Sequence, residues 1–132
     1  MQLKSLFLTL FIVTVLLNVA VAKGVYQAVK FKKGESSATI EGAVVRGDSD
    51  TYTLGARAGQ MMEVSITSTE DNAVFQLYGE VEGDWVALHG ADEGDDATEW
   101  EGKLPGGGSG QYKIVVGPTR GNATYSLDIA IE

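Results

Sequence analysis

Arg120 is the residue best suited to recognition chemistry. It is one of three arginines and stands in the loop Gly117-Pro118-Thr119-Arg120-Gly121-Asn122. A guanidinium is a planar fork of donors that grips a carboxylate through two parallel bonds. The competing reading is a solvated loop charge. Catalytic chemistry has less to work with. His89 is the only histidine, so a Ser–His–Asp arrangement depends on it, and a His-rich metal site is excluded. Its turn-rich setting makes it a solvent-facing loop residue. Ser109 lies in Gly108-Ser109-Gly110, which lacks the G-x-S-x-G spacing of a strand-to-helix nucleophile elbow. It reads as a loop tip. The chain has no cysteine, which removes thiol nucleophiles and thiolate metal ligands.

Carboxylates are plentiful, so counting alone leaves an acid–base pair open, but no motif supports one. Asp92, Glu93, Asp95 and Asp96 share the segment HGADEGDDAT. Calcium takes about six to eight oxygen ligands, and Asp92, Asp95 and Asp96 are the metal candidates. Their spacing matches no EF-hand, and a solvated acidic loop is the favoured reading. Asp48 and Asp50 are expected to stabilise their own turn through side-chain bonds to local backbone, with a contribution to a cation site as the alternative. No cofactor is expected.

These residues must be held by strands. After Phe31 the chain alternates with period two. Tyr52, Leu54 and Ala56 face one way, then Met62, Val64 and Ile66. Turns at Gly47-Asp48-Ser49-Asp50 and Ala58-Gly59-Gln60 bound these runs, which read as antiparallel hairpin units. A first strand over Val25–Phe31 points Val25, Val29 and Phe31 inward. Further strands are expected at 73–78, 85–88, 99–104, 111–116 and 123–131, with the first and last of these central in their sheets. Pro105 to Gly110 is too glycine-rich for regular structure. The aromatics fall mostly at inward positions, with Trp85 a candidate exposed contact. About eight short strands and no apolar stripe of helical period predict an all-β, antiparallel, jelly-roll-like β-sandwich.

The N-terminus reads as a secretory signal peptide. Lys4 supplies the positive region, Leu6 to Val19 the apolar run, and Ala20-Val21-Ala22 the small-residue cleavage site. Residues 1–22 are expected to be removed, leaving one domain over 23–132 in a periplasm or outside the cell, with no membrane contact. That domain carries nine cations against eighteen acids, a net charge of −9. Such a surface repels nucleic acid and anionic lipid and speeds encounter with basic partners. The oligomeric state is not readable from the sequence.

The ordered series of motifs resembles the periplasmic inhibitors of g-type lysozyme. It comprises Phe31-Lys32-Lys33-Gly34-Glu35-Ser36-Ser37-Ala38, Asp48-Ser49-Asp50-Thr51-Tyr52-Thr53, Ala58-Gly59-Gln60 and Val64-Ser65-Ile66. It continues with Leu104-Pro105, Ser109-Gly110-x-Tyr112, Thr119-Arg120 and Tyr125-x-x-Asp128-Ile129-x-Ile131. The aspartate turn is also similar to pre-peptidase C-terminal domains, whose likeness implies the alternative of a glycan- or protein-binding module, with or without calcium dependence. The inhibitor resemblance implies a non-enzymatic β-sandwich whose partner is a g-type lysozyme. It implies that a loop plugs the enzyme's carboxyl-bearing, peptidoglycan-binding cleft. Arg120 would reach the cleft acids, Thr119 and Asn122 would share its loop, and Ser109, Gly110 and Tyr112 would shape and brace a neighbouring loop. Two departures stand out: Gly47 replaces an aromatic before the aspartate turn, and residues 121–124 lack a second basic side chain.

Overall fold

The computed structural model describes residues 24–91, 96–105 and 108–132. Among them nine strands occur: β1 (Tyr26–Ala28), β2 (Ser37–Val44), β3 (Asp50–Gly55), β4 (Met61–Ser68), β5 (Ala73–Val81), β6 (Asp84–Ala87), β7 (Glu99–Lys103), β8 (Gln111–Pro118) and β9 (Ala123–Ile131). One sheet has the order β1-β3-β8-β5-β6 and the other β2-β9-β4-β7. Strands β2 to β9 thus form an eight-stranded antiparallel jelly roll. β1 is an addition at one edge, pairing parallel to β3.

Alternation decides which face each strand buries. β9 buries Tyr125, Leu127, Ile129 and Ile131, and β4 buries Met62, Val64 and Ile66. From the other sheet come Tyr52 and Leu54 of β3, Phe75 and Leu77 of β5, and Tyr112, Ile114 and Val116 of β8. Each large side chain withdrawn from water contributes about 1.5–3 kcal/mol. Both expected interior strands lie between two neighbours, β5 between β8 and β6, β9 between β2 and β4.

Several expectations need correction. β2, β3 and β4 are not hairpin units. β2 pairs with β9, β3 with β8, and β4 with β9 and β7. Each turn between them crosses from one sheet to the other, so a reversal of direction does not imply pairing. The first strand is shorter than expected and Val25 is exposed, because β1 lies at an edge and only Val29 and Phe31 reach the core margin. Not every aromatic points inward. Tyr26 is 69% exposed. Tyr78 and Trp85 stand on the outer face, where the Lys113 ammonium lies 5.2 Å and 4.7 Å from their ring centres. The signal segment lies outside the described residues, as do Asp92, Glu93, Asp95 and two glycines of the 105–110 loop.

Candidate functional site

Arg120 belongs to an end of the sandwich built from three turns: 45–49 between β2 and β3, 69–72 between β4 and β5, and 119–122 between β8 and β9. Two asparagines lock these turns together. Asn72 is buried, and its side-chain amide donates to the carbonyl oxygens of Arg120 and Asn122, each at 3.0 Å. Its backbone carbonyl accepts the Thr119 N–H at 2.9 Å. Asn122 Oδ1 accepts the backbone N–H of Arg46 at 2.9 Å. The Arg120 guanidinium itself reaches across and donates through Nη2 to the Glu70 carbonyl. Thr119, Arg120 and Asn122 are all exposed. A shallow depression there is lined by Arg46, Gly47, Pro118, Thr119, Arg120 and Gly121, none of them acidic.

A buried polar network stiffens the same end from below. Asp50 opens β3 and is 1% exposed. Its Oδ2 accepts from Tyr125 Oη at 2.6 Å, and its Oδ1 accepts the Val25 N–H at 2.9 Å. The hydroxyls of Tyr52 and Tyr125 are 2.5 Å apart. Tyr125 reaches this position over Gly42, its cross-strand partner on β2. A Cβ at residue 42 would lie 2.6 Å from Tyr125 Oη, so glycine is what lets the phenol pass. Burial, then the bonds to Asp50 and Tyr52, push the Tyr125 phenol far above its ordinary pKa. Both phenols therefore stay protonated and act as fixed donors beneath the aspartate turn.

Ser109, Gly110 and Tyr112 lie at the opposite end. β8 starts just after Ser109 and Gly110, carries Tyr112 as its second residue and ends just before Thr119, and its seven steps span ~23 Å. The structure therefore does not bring them beside the Arg120 loop that they were expected to brace. The residues linking the two motifs form a strand, which holds its ends apart. Ser109 Oγ donates to Glu80 Oε1 at 2.8 Å, and its N–H to the Glu80 carbonyl at 3.2 Å. Gly110 has φ +84°, and a Cβ there would sit 3.0 Å from the Ala56 carbonyl oxygen, which faces it across the end of β3. Tyr112 is buried, with Oη donating to the Pro105 carbonyl at 3.3 Å. These three residues tie down their own end, where Arg57 is an exposed cation.

The other chemical candidates are scattered. His89 is exposed, and its carbonyl accepts the Trp100 indole N–H at 2.7 Å. Asp96 accepts from Gln76 Nε2 at 2.9 Å. Among the described residues, no three His, Asp or Glu side chains gather as a metal site. A wider depression crosses the outer face of the four-stranded sheet, past Thr39, Glu63, Glu99, Glu101 and Asp128. Its carboxylates suit no acidic partner.

The comparisons with known proteins bear on this arrangement directly. The sequence is 31% identical over its whole length to the inhibitor of g-type lysozyme of Escherichia coli strain K12, covering all of that protein too. The chain belongs to the family of inhibitors of g-type lysozyme. No family model matches the sequence. The crystal structure of the Aeromonas hydrophila periplasmic inhibitor of g-type lysozyme superposes with a TM-score of 0.67 at 32% identity, over 83% of this chain and 98% of that one. The Salmonella Typhimurium inhibitor gives 0.61 at 31% identity, over 83% and 100%. A pre-peptidase C-terminal domain of a Bacillus anthracis collagenase gives 0.53 at 17% identity, over 84% and 98%; that likeness shows the fold alone.

In this member of the inhibitor family, two residues of the Arg120 end escaped the sequence reading. Asn72 is buried in the polar turn before β5, and Arg46 follows β2. The Arg46–Asn122 bond joins residues 76 positions apart, and no local pattern reports such a contact. The available signal was global, namely which turns an antiparallel sandwich gathers at one end.

Proposed function

We propose that the protein is a non-enzymatic, periplasmic inhibitor of g-type lysozyme, acting as the exported domain 23–132. In this reading the Arg120 end enters the substrate cleft. Glycosidases work with paired carboxyl groups, and a guanidinium is matched to such groups. The observation that carries the reading is the Arg120 end itself. It presents an exposed guanidinium on turns cross-linked by Asn72 and Asn122, beside a depression without acids, on a protein of net charge −8. A pre-ordered loop loses little entropy on docking. Steric exclusion of the glycan strand and charge pairing with cleft acids then act together. Thr119 and Asn122 shape the plug. Ser109, Gly110 and Tyr112 maintain the far end and stay clear of the cleft.

The test is lysis of cell walls by a g-type lysozyme in the presence of purified 23–132. Inhibition is expected. Arg120→Ala removes one partner of a desolvated charge pair, which costs about 2–5 kcal/mol, or at least about 25-fold in inhibition constant. Ser109→Ala is expected to inhibit like the wild type. Unimpaired lysis at excess protein refutes the function, and equal inhibition by Arg120→Ala refutes the site.

A further inference from the structure

We infer that Arg46 is a second anion-gripping residue of the Arg120 end, and that the two guanidiniums together hold a pair of carboxylates on a protein partner. This rests on the inhibitor reading and adds a specificity-determining residue to it. Both arginines border the same depression, one from the β2–β3 turn and one from the β8–β9 turn. The acids of these turns, Asp48, Glu70 and Asp71, are not among the residues that line it. Arg46 is exposed, and its backbone N–H is fixed on Asn122 Oδ1 at 2.9 Å. The side chain thus leaves from an anchored point on the turn that also holds the Arg120 loop.

The charge context makes this pairing informative. The chain is strongly acidic and carries three arginines in all. Two of them converge on one depression, while Arg57 lies at the far end with Ser109 and Gly110. Both residues border one depression, and each guanidinium is a planar fork suited to a carboxylate of its own. A second carboxylate lets each fork make its own two-bond contact, where a single one would have to be shared. The ligand chemistry is therefore a groove lined by at least two acids.

Inhibition constants against a g-type lysozyme at low and high salt test this for the wild type, Arg46→Ala, Arg46→Lys, Arg57→Ala and Arg46→Ala/Arg120→Ala. Arg46→Ala is expected to weaken inhibition roughly tenfold, with a reduced salt dependence. Arg46→Lys keeps the charge without the planar fork and should fall between. Arg57→Ala removes the same charge from the other end and should stay within about twofold. Because the turn is anchored through backbone, Arg46→Ala should melt with the wild type. An Arg46→Ala constant within twofold of wild type, beside a weakened Arg120→Ala, overturns the role of Arg46 and leaves the inhibitor reading standing. Equal losses for Arg46→Ala and Arg57→Ala also overturn it, since net charge alone would then explain them. Absence of inhibition by the wild type overturns the inhibitor reading first.

Discussion

Replacing Tyr125 by Phe tests whether the buried network holds the Arg120 end. The substitution keeps the ring, which packs between the sheets, and deletes one hydroxyl. That hydroxyl donates to Asp50 Oδ2 at 2.6 Å and meets Tyr52 Oη at 2.5 Å. Among the described residues, Asp50 would keep the Val25 N–H on its other oxygen. A bond to a charged acceptor is worth about 1.5–3 kcal/mol, and the orphaned Tyr52 hydroxyl adds about 1. The expected loss is about 2–4 kcal/mol, a large share of the ~5–15 kcal/mol available to a domain. With a urea slope near 2 kcal/mol/M, the midpoint falls by about 1–2 M. The pH dependence gives a second readout. Burial raises the pKa of both phenols above the ordinary 10.0, and the bonds to Asp50 and Tyr52 raise that of Tyr125 further. The folded state keeps protons that the unfolded chain releases, so stability present below about pH 10 declines as pH rises above it. Tyr125→Phe should flatten that alkaline decline. A loss under about 0.5 kcal/mol, or an unchanged alkaline slope, would show that the network is not what braces the turn.

Two further perturbations follow from the same geometry. Glu63 and Glu101 face each other across β4 and β7, and the hydrogen bond with Glu101, followed by its charge, raises the Glu63 pKa above the usual carboxylate range. The fold therefore disfavours ionised Glu63, and stability falls as pH rises from the unfolded value of 4.5 through the raised one. Glu63→Gln should raise the melting temperature at pH 7, with the gain shrinking in high salt and vanishing in acid; a lower melting temperature at pH 7 would contradict the assignment. Asn72→Ala strips two donors from the carbonyls of Arg120 and Asn122, which should cost about 1–3 kcal/mol in urea unfolding and weaken inhibition more than Ser109→Ala does. Wild-type stability in Asn72→Ala would rule out the clamp.

The core was readable because period-two alternation reports burial directly. Tyr125, Leu127, Ile129 and Ile131 face inward in sequence and in structure. Pairing was not readable, because the Gly47-Asp48-Ser49-Asp50 turn says only that the chain reverses. It cannot say whether the next strand lies beside the last one or across the core. The site suffered the same ambiguity. Ser109 and Arg120 look close in sequence, yet β8 separates them, and Arg46 looks remote although it is bonded to the Arg120 loop. Strand parity resolves this. Each strand carries the chain to the other end of the sandwich, so turns that follow even-numbered strands share one end and those that follow odd-numbered strands share the other. Arg46, Asn72 and Arg120 follow β2, β4 and β8, whereas Arg57 and Ser109 follow β3 and β7. Counting strands therefore gathers the two arginines of the proposed plug at one end and sends the glycine-rich loop, with Arg57, to the other, which is the separation that the depressions at the two ends display.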